Sequence, residues 1–143
     1  MQITTHSDYA LRLLIYLAIH PQNKPATVKD AAGCYGVSIN HMAKVAQRLV
    51  QEKIVISQRG RGGGLQLAMP PESINIGALL RKTENFKLLE CFGDECNCPI
   101  ESICILFSAM RKAQVAFLDV LDTYTLADVI KNKTRLQQSL NVA

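Results

Sequence analysis

Apolar residues recur at helical spacing in the first third of the chain. Residues 8–19 carry such a stripe and predict a helix, with Ser7 directly before it as the N-cap. Thr27 precedes a short second helix that Gly36 ends, and Ser38 precedes a longer third helix. A short helix, a turn with glycine and a longer helix are typical of a helix-turn-helix unit.

The third predicted helix keeps polar side chains opposite its apolar stripe. In a helix that lies in a DNA major groove, side chains of this kind contact base edges and phosphates. On an ordinary amphipathic helix they would only face solvent, so both interpretations fit this segment alone. The candidate DNA-binding residues are Ser38, Asn40, His41, Lys44, Gln47 and Arg48.

An alternating segment after the third helix predicts a β-hairpin with strands over residues 54–58 and 65–68, joined by the sequence RGRGGG. A basic, glycine-rich hairpin at this point is typical of the wing of a winged helix. In a wing, Arg59 and Arg61 would enter a minor groove or hold phosphates. A nucleotide-binding loop would need a helix and a Lys-Ser/Thr pair directly after the glycines, and both are absent at this position. A hairpin tip without a ligand is the other alternative.

A long amphipathic helix is predicted in the second half of the chain, over residues 101–124. Its apolar positions, among them Met110, Phe117 and Leu121, fall largely on one face. A helix longer than the average of about 11–12 residues needs a surface that covers this stripe. We therefore expect self-association across a two-fold axis, with packing onto the first helix as the alternative.

The fold class predicted from these patterns is mostly α with a small β-hairpin. Residues 1–70 are predicted to form a winged helix-turn-helix DNA-binding domain. Residues 71–143 are predicted to hold a cysteine-rich loop (about 85–104), the dimerisation helix (about 101–124) and a short C-terminal helix. The tail after Lys133 is expected to be loose.

The net charge of +4 is concentrated in the first half of the chain. Residues 1–70 carry eight Lys or Arg against three Asp or Glu, whereas residues 71–143 carry eight against nine. The positive half is therefore the one that could face a polyanion such as DNA. No apolar run has the length of a membrane span and the N-terminus lacks the pattern of a secretory signal, so we expect a cytoplasmic protein without a membrane partner. The histidines are scattered, and nothing indicates an enzyme.

Four of the five cysteines fall within one short segment, with the spacing Cys91-x6-Cys98-x5-Cys104 and Cys96 in addition. The odd number and the clustering favour metal or redox chemistry over a disulfide framework. Thiolates select soft metals, and three of them on one wide loop suit an iron–sulfur cluster better than the paired knuckles of structural zinc. Zinc and metal-free reactive thiols remain alternatives at this point. Cys34 lies apart and is expected to take no part.

Several segments match the motifs of one family of bacterial regulators. On these segments the sequence resembles the Rrf2 family of winged helix-turn-helix iron–sulfur regulators over almost its whole length. It is most similar to the family's nitric-oxide-sensing repressors, and its cysteine loop is partly similar to the iron-responsive members. The matching segments are SDYALRLLIYLA at Ser7–Ala18, YGVSINHMAKV at Tyr35–Val45, RGRGGGLQLA at Arg59–Ala68, the cysteine loop, and YTLADV at Tyr124–Val129.

The resemblance implies a set of cluster ligands. It implies one iron–sulfur cluster per subunit, 4Fe–4S or 2Fe–2S, ligated by Cys91, Cys98 and Cys104. Cys96 is the alternative to Cys98, which we prefer because CPIESIC keeps the x5 gap and the following proline. In the nitric-oxide sensors the fourth ligand is an aspartate of the other subunit at the start of the first helix. That position matches Asp8, which could otherwise be an ordinary acid in a first helical turn.

The resemblance also implies a function and its partners. The expected protein is a homodimeric repressor that binds double-stranded DNA at a near-palindromic operator. Its operator affinity would depend on the cluster, with nitric oxide as the signal. An iron- or redox-responsive regulator of the same family is the first alternative. A small iron–sulfur or zinc redox protein is the second, although an electron carrier has no use for a basic wing.

Overall fold

The computed structural model describes residues 2–21, 23–60, 62–93 and 96–142. The described residues form α-helices and one two-stranded antiparallel sheet, with short 3-10 turns at Pro71–Ser73, Glu90–Phe92 and Glu101–Ile103. The mostly α fold with one β-hairpin that the sequence predicts is thereby confirmed. The elements in chain order are α1 (Thr5–Ile19), α2 (Val28–Tyr35), α3 (Ile39–Gln51), β1 (Val55–Ser57), β2 (Leu65–Leu67), α4 (Ile76–Thr83), α5 (Ile105–Asp122), α6 (Leu126–Val129) and α7 (Lys133–Ser139).

Local capping fixes the starts of the first three helices. The side chains of Thr27 and Ser38 accept hydrogen bonds from backbone N–H groups at the starts of α2 and α3, as predicted. The prediction of Ser7 as the cap of α1 is wrong. Thr4 caps this helix, and its hydroxyl accepts from the Ser7 N–H at 3.3 Å. Ser7 lies inside the first turn and is fully buried. Its hydroxyl does not cap the helix because it donates a hydrogen bond to Thr83 instead.

The hydrophobic core is built around α1. This helix packs against α2, α3 and β2, and also against α4, α6 and α7 from the second half of the chain. Leu79, Leu126 and Val142 are buried in the same cluster as Leu13 and Leu49. The residues on either side of position 70 therefore share one core.

The C-terminal segment differs from the prediction at both ends. The long helix starts at Ile105 rather than at residue 101, because the Cys104 sulfur accepts a hydrogen bond from the Phe107 N–H at 3.3 Å and caps the helix there. The expectation of a loose tail is wrong. Residues 133–139 form α7, and Gln137 Nε2 donates a hydrogen bond of 2.7 Å to the carbonyl of Ile19 on α1.

Candidate DNA-binding face and cysteine cluster

The α3 helix separates an apolar face from a polar one. Met42, Val45, Ala46 and Leu49 are buried against the core. The predicted DNA-binding residues of the opposite face are all exposed, and the Ser38 hydroxyl caps the helix by accepting the His41 N–H at 3.4 Å. The polar face of α3 is therefore accessible to a groove of DNA. Its members are Ser38, Asn40, His41, Lys44, Gln47 and Arg48.

Arg48 stands apart from the other residues of this face. Its guanidinium forms an ion pair of 2.8 Å with Glu52 one turn later on the helix. The same group donates a hydrogen bond of 3.4 Å to the carbonyl of Lys82 at the end of α4. Arg48 thus connects α3, the candidate recognition helix, to α4. Asn40 and Lys44 lie nearer to the N-terminal end of α3.

The start of α3 rests on the start of α1. The rings of Tyr9 and His41 lie 6.3 Å apart between centroids. A cavity of about 220 Å³ lies beside these two rings, and the rest of its lining includes His6, Lys44 and Val45. The N-terminal end of the recognition helix is therefore positioned by the first turns of α1.

The wing is a tight hairpin held to the body of the protein. Its strands pair with Val55 opposite Leu67, and the Leu65 N–H donates to the Ala26 carbonyl at 2.7 Å. Gly64 approaches Ala26 so closely that a Cβ would lie 2.7 Å from its carbonyl oxygen, so glycine is required there. Arg59 is exposed at the hairpin tip, and Arg61 lies outside the described residues.

Asp8 has a charged partner within its own helix. Its two carboxylate oxygens contact Arg12 Nε at 3.0 Å and Nη2 at 2.8 Å, four residues further on. The Arg12 guanidinium also lies over the rings of Tyr9 and Tyr35, 5.7 and 5.6 Å from their centroids. Burial raises the pKa of Tyr35 to about 12 against the opposing effect of Arg12. Sequence analysis missed Arg12, although its i,i+4 spacing from Asp8 indicates the pair.

The clustered cysteines lie on the segment that leads into α5. Cys91 lies in the 3-10 turn Glu90–Phe92, Cys98 is exposed, and Cys104 is the cap of α5. A hydrogen bond with the Cys98 backbone lowers the pKa of Cys96, but loss of water and the Glu101 carboxylate outweigh it and raise the pKa overall. All five cysteines of the chain are free thiols.

The donor set of this segment suits a soft metal unit. Thiolates are the ligands that iron–sulfur clusters require, and the thiols of Cys91, Cys96, Cys98 and Cys104 are free and at least partly accessible. Within the described ranges, no three Cys, His, Asp or Glu side chains are already arranged around a common point that could hold a metal ion. Cys34 lies on α2, where burial and then Asp30 raise the pKa of its thiol.

The long helix α5 has two apolar faces rather than one. The predicted stripe turns partly inward, since Phe107 packs against Phe92 at 5.2 Å and Phe117 against Phe86 at 6.3 Å between ring centroids. A second face is exposed, and Ile105 is 85% exposed. We call this second face the exposed face of α5; it comprises Ile105, Leu106, Ala109, Ala113, Ala116 and Val120.

This combination of a winged helix-turn-helix with an exposed polar recognition helix defines a class of DNA-binding regulators. A family model described as "Rrf2: Iron-dependent Transcriptional regulator" matches residues 3–132. The chain therefore belongs to the Rrf2 family of transcriptional regulators and is not an enzyme. Membership also excludes the alternative of a small redox protein. In the described residues, no helix is both long and apolar enough to cross a membrane.

Relatives with curated names are similar over nearly the whole chain. The HTH-type transcriptional regulators NsrR of Halalkalibacterium halodurans and of Bacillus subtilis are 43% and 44% identical to it, over 99% of each chain. Among solved structures, T. potens IscR has a TM-score of 0.76 at 26% identity and covers 96% of this chain and 91% of its own. CymR, the global cysteine regulator of B. subtilis, has a TM-score of 0.69 at 28% identity over 90% of this chain and 95% of its own.

Proposed function

We propose that this chain is a homodimeric transcriptional repressor whose operator affinity depends on an iron–sulfur cluster, with nitric oxide as the signal. The observation that carries the proposal is the group of free thiols immediately before α5 in a chain whose other half is a DNA-binding module. The similarity to regulators named NsrR supports the nitric-oxide signal.

The cluster would be 4Fe–4S or 2Fe–2S, one per subunit, held by Cys91, Cys98 and Cys104, with Cys96 as the alternative to Cys98. When bound, it would supply iron atoms that nitric oxide attacks. The fourth ligand would be Asp8 of the partner subunit. Because an exposed ion pair stabilises by only about 0–1 kcal/mol, Asp8 can leave Arg12 for another cation at little cost.

Residues of the chain itself would transmit the change. Asp8 lies one residue before Tyr9, and Tyr9 contacts His41 at the start of the recognition helix. A carboxylate held by the other subunit would therefore fix the turn of α1 on which α3 rests. Losing that tie would free the recognition helices to change their separation, and a two-fold operator offers half-sites about 10–10.5 bp apart or a multiple of that.

The exposed face of α5 is the proposed dimer interface. The described part of the chain leaves its apolar residues uncovered, and Leu106 and Val120 are 61% and 60% exposed. Apolar patches of this kind on a small protein mark interaction surfaces. The three alanines of the face would let a second helix approach closely across a two-fold axis.

The test is a spectrum and a binding assay on the same anaerobic sample. The absorbance spectrum is recorded before and after nitric oxide, and operator affinity is measured for loaded, nitrosylated and cluster-free protein. We expect a cluster spectrum that nitric oxide abolishes, together with loss of tight binding. Cys98→Ala and Cys96→Ala identify the middle ligand, and Cys34→Ala is the matched control. Cluster-free protein that binds as tightly as loaded protein would contradict the proposal.

An iron- or redox-responsive regulator is the second candidate, favoured by the description "iron-dependent" of the matching family model. The two candidates differ in which treatment releases DNA. If an iron chelator or air releases the operator at concentrations where nitric oxide does not, the second candidate replaces the first.

A further inference from the structure

Four consecutive residues at the end of α4 contact three different helices. We call residues 81–84 the α4 junction. Arg81 pairs with Asp122 at the end of α5, with Nη1–Oδ1 and Nη2–Oδ2 distances of 2.5 and 2.7 Å. Lys82 Nζ lies 3.4 Å from Glu52 Oε2 at the end of α3. One stretch of chain therefore joins the long helix to the recognition helix.

The other two residues of the junction hold the start of α1. Thr83 Oγ1 accepts a hydrogen bond of 2.7 Å from the hydroxyl of Ser7. Glu84 Oε1 accepts two hydrogen bonds from Thr4, the cap of α1, at 2.6 Å from its N–H and 2.8 Å from its hydroxyl. Asp8 lies in the same helical turn, so the junction fixes the backbone that carries this residue.

We propose that the α4 junction is the positioning element that sets how the recognition helix α3 and the Asp8 turn of α1 are oriented on the long helix α5. Its residues would act through the helices that they join rather than by touching DNA or a cofactor. The inference rests on the proposed homodimer, in which α5 fixes each subunit to its partner. The junction would then set the separation of the two recognition helices.

The link between α4 and α5 is rigid at both ends of α4. Besides the paired contacts of Arg81, Asn75 Nδ2 donates to the Asp122 carbonyl at 2.7 Å at the start of α4. Any Cβ at Gly77 would collide with the Asp122 side chain, so the two helices touch there. A paired guanidinium–carboxylate contact fixes orientation as well as distance. The angle between α4 and α5 is therefore constrained at several points.

The link between α4 and α1 is buried on the α1 side at Ser7 and half-buried at Thr83. Ser7 is fully inaccessible, and the Thr83 hydroxyl that accepts its hydrogen bond donates one in turn to the Leu79 carbonyl at 3.3 Å. Leaving one member of such a buried chain without its partner costs free energy, so the two hydroxyl groups hold each other in place. Because Arg81 lies in the same helical turn as Lys82 and Thr83, a shift of α4 against α5 is passed directly to α3 and α1.

The test measures preference for operator spacing rather than stability. The probe is a DNA duplex selected by the wild-type, full-length, anaerobically purified protein from a random pool. It is compared with the same duplex carrying two extra base pairs between its half-sites and with a version in which one half-site is scrambled. The variant is Arg81→Gln. Lys131→Gln is the matched control, because it removes an ion pair of 2.8 Å with Asp128 that joins no other element.

We expect the wild type and Lys131→Gln to prefer the original spacing strongly. In Arg81→Gln this preference should fall by roughly fivefold or more, while affinity for the scrambled-half-site duplex is unchanged. A second variant, Ser7→Ala with Thr83→Val, removes the buried hydroxyl pair without leaving a lone polar group. It should lower the preference in the same direction.

Two results would overturn the inference. One is a spacing preference that stays at the wild-type value in both variants. The other is an equal loss of affinity for all three duplexes, which would indicate general damage to the fold. A wild type without any spacing preference would instead contradict the proposed dimer on two half-sites, and the inference with it.

Discussion

The helices α3 and α5 are both amphipathic, but of the two only α3 has its core-facing apolar side chains covered by the described part of the chain. Its core-facing residues Met42, Val45 and Leu49 are at most 1% exposed. On α5, Leu118 is the residue that is buried, while Ile105 and other apolar residues of its exposed face remain in contact with solvent. The helix α3 therefore gains its stability from its own subunit, whereas α5 presents a surface that a second molecule could cover.

The difference separates two kinds of amphipathic pattern. In α3 the polar face is the candidate for function, because the apolar face is used up by the core. In α5 the exposed apolar face is the candidate, because the inward face is occupied by contacts such as Phe107 with Phe92. Truncating an apolar side chain should therefore lower the stability of the subunit itself on α3, and should weaken only the association of subunits on the exposed face of α5.

The largest effect is expected from Leu49→Ala on α3. Removing a fully buried leucine side chain leaves a cavity and should lower the free energy of unfolding by about 2–5 kcal/mol. Denaturant unfolding at two protein concentrations measures the loss, which should be equal at both. Leu106→Ala on the exposed face of α5 is the control, and its effect should appear only in the concentration dependence. Equal and concentration-independent losses in both variants would remove the distinction between the helices.

Introducing a charge on the exposed face of α5 should separate the subunits without unfolding them. Val120→Glu would bury an unpaired carboxylate in the proposed interface and weaken dimerisation by at least roughly tenfold, or about 1.4 kcal/mol. Light scattering reports the mass. Val115→Glu is the matched control, since Val115 is 50% exposed and points about 140° away around the helix. A Val120→Glu protein that stays a dimer would exclude this face. Phe117→Glu is a poorer test because Phe117 packs against Phe86 in its own subunit.

On α3 the exposed polar face should determine sequence preference and not assembly. Asn40→Ala should remove about 1–3 kcal/mol of discrimination at one base pair, with an unchanged mass in light scattering. Selection of binding sites from a random pool measures the change. A consensus that is identical for wild type, Asn40→Ala and His41→Ala would move base recognition to another element.

Most features set by neighbours in sequence were predictable, with the cap of α1 and the Asp8–Arg12 pair as exceptions, and features set by distant contacts were not. The caps Thr27 and Ser38 bond to N–H groups within three residues of themselves, so the sequence is enough to find them. The helix α7 was missed because its tie to α1 joins Gln137 to Ile19. The face of α5 that turns inward could not be predicted either. Both sides of this helix carry apolar residues, and only the position of the 86–93 segment selects one.

The wing should contribute affinity without sequence preference. Arg59 is exposed at the hairpin tip, and replacing it by alanine should weaken binding to different sequences uniformly and reduce the salt dependence of binding by about one counterion. Arg135→Ala on α7 is the matched control, because Arg135 is also exposed but lies outside the DNA-binding half. Affinities measured over a series of salt concentrations test this. An unchanged salt slope in the Arg59 variant would place the wing away from the phosphates.

The smallest effect is expected at Glu84, the residue of the α4 junction that accepts hydrogen bonds from Thr4 at the start of α1. Burial raises its pKa, but hydrogen bonds, chiefly those from Thr4, outweigh this and hold the pKa below its ordinary value of 4.5. A carboxyl group with a lowered pKa stabilises the fold fully above its unfolded-state pKa, and the contribution is lost as the pH falls through the folded-state value.

The variant Glu84→Gln keeps an oxygen that can accept from Thr4 and removes only the charge. We expect it to be less stable than the wild type by no more than about 1 kcal/mol at neutral pH. This difference should disappear once the pH falls well below 4.5. Unfolding free energies at pH 7 and at acid pH measure it. Glu72→Gln, in the exposed turn Pro71–Ser73, is the control. A Glu84→Gln difference that persists or grows in acid would show that the carboxylate does not stabilise this connection, and that the hydrogen bonds to Thr4 act independently of charge.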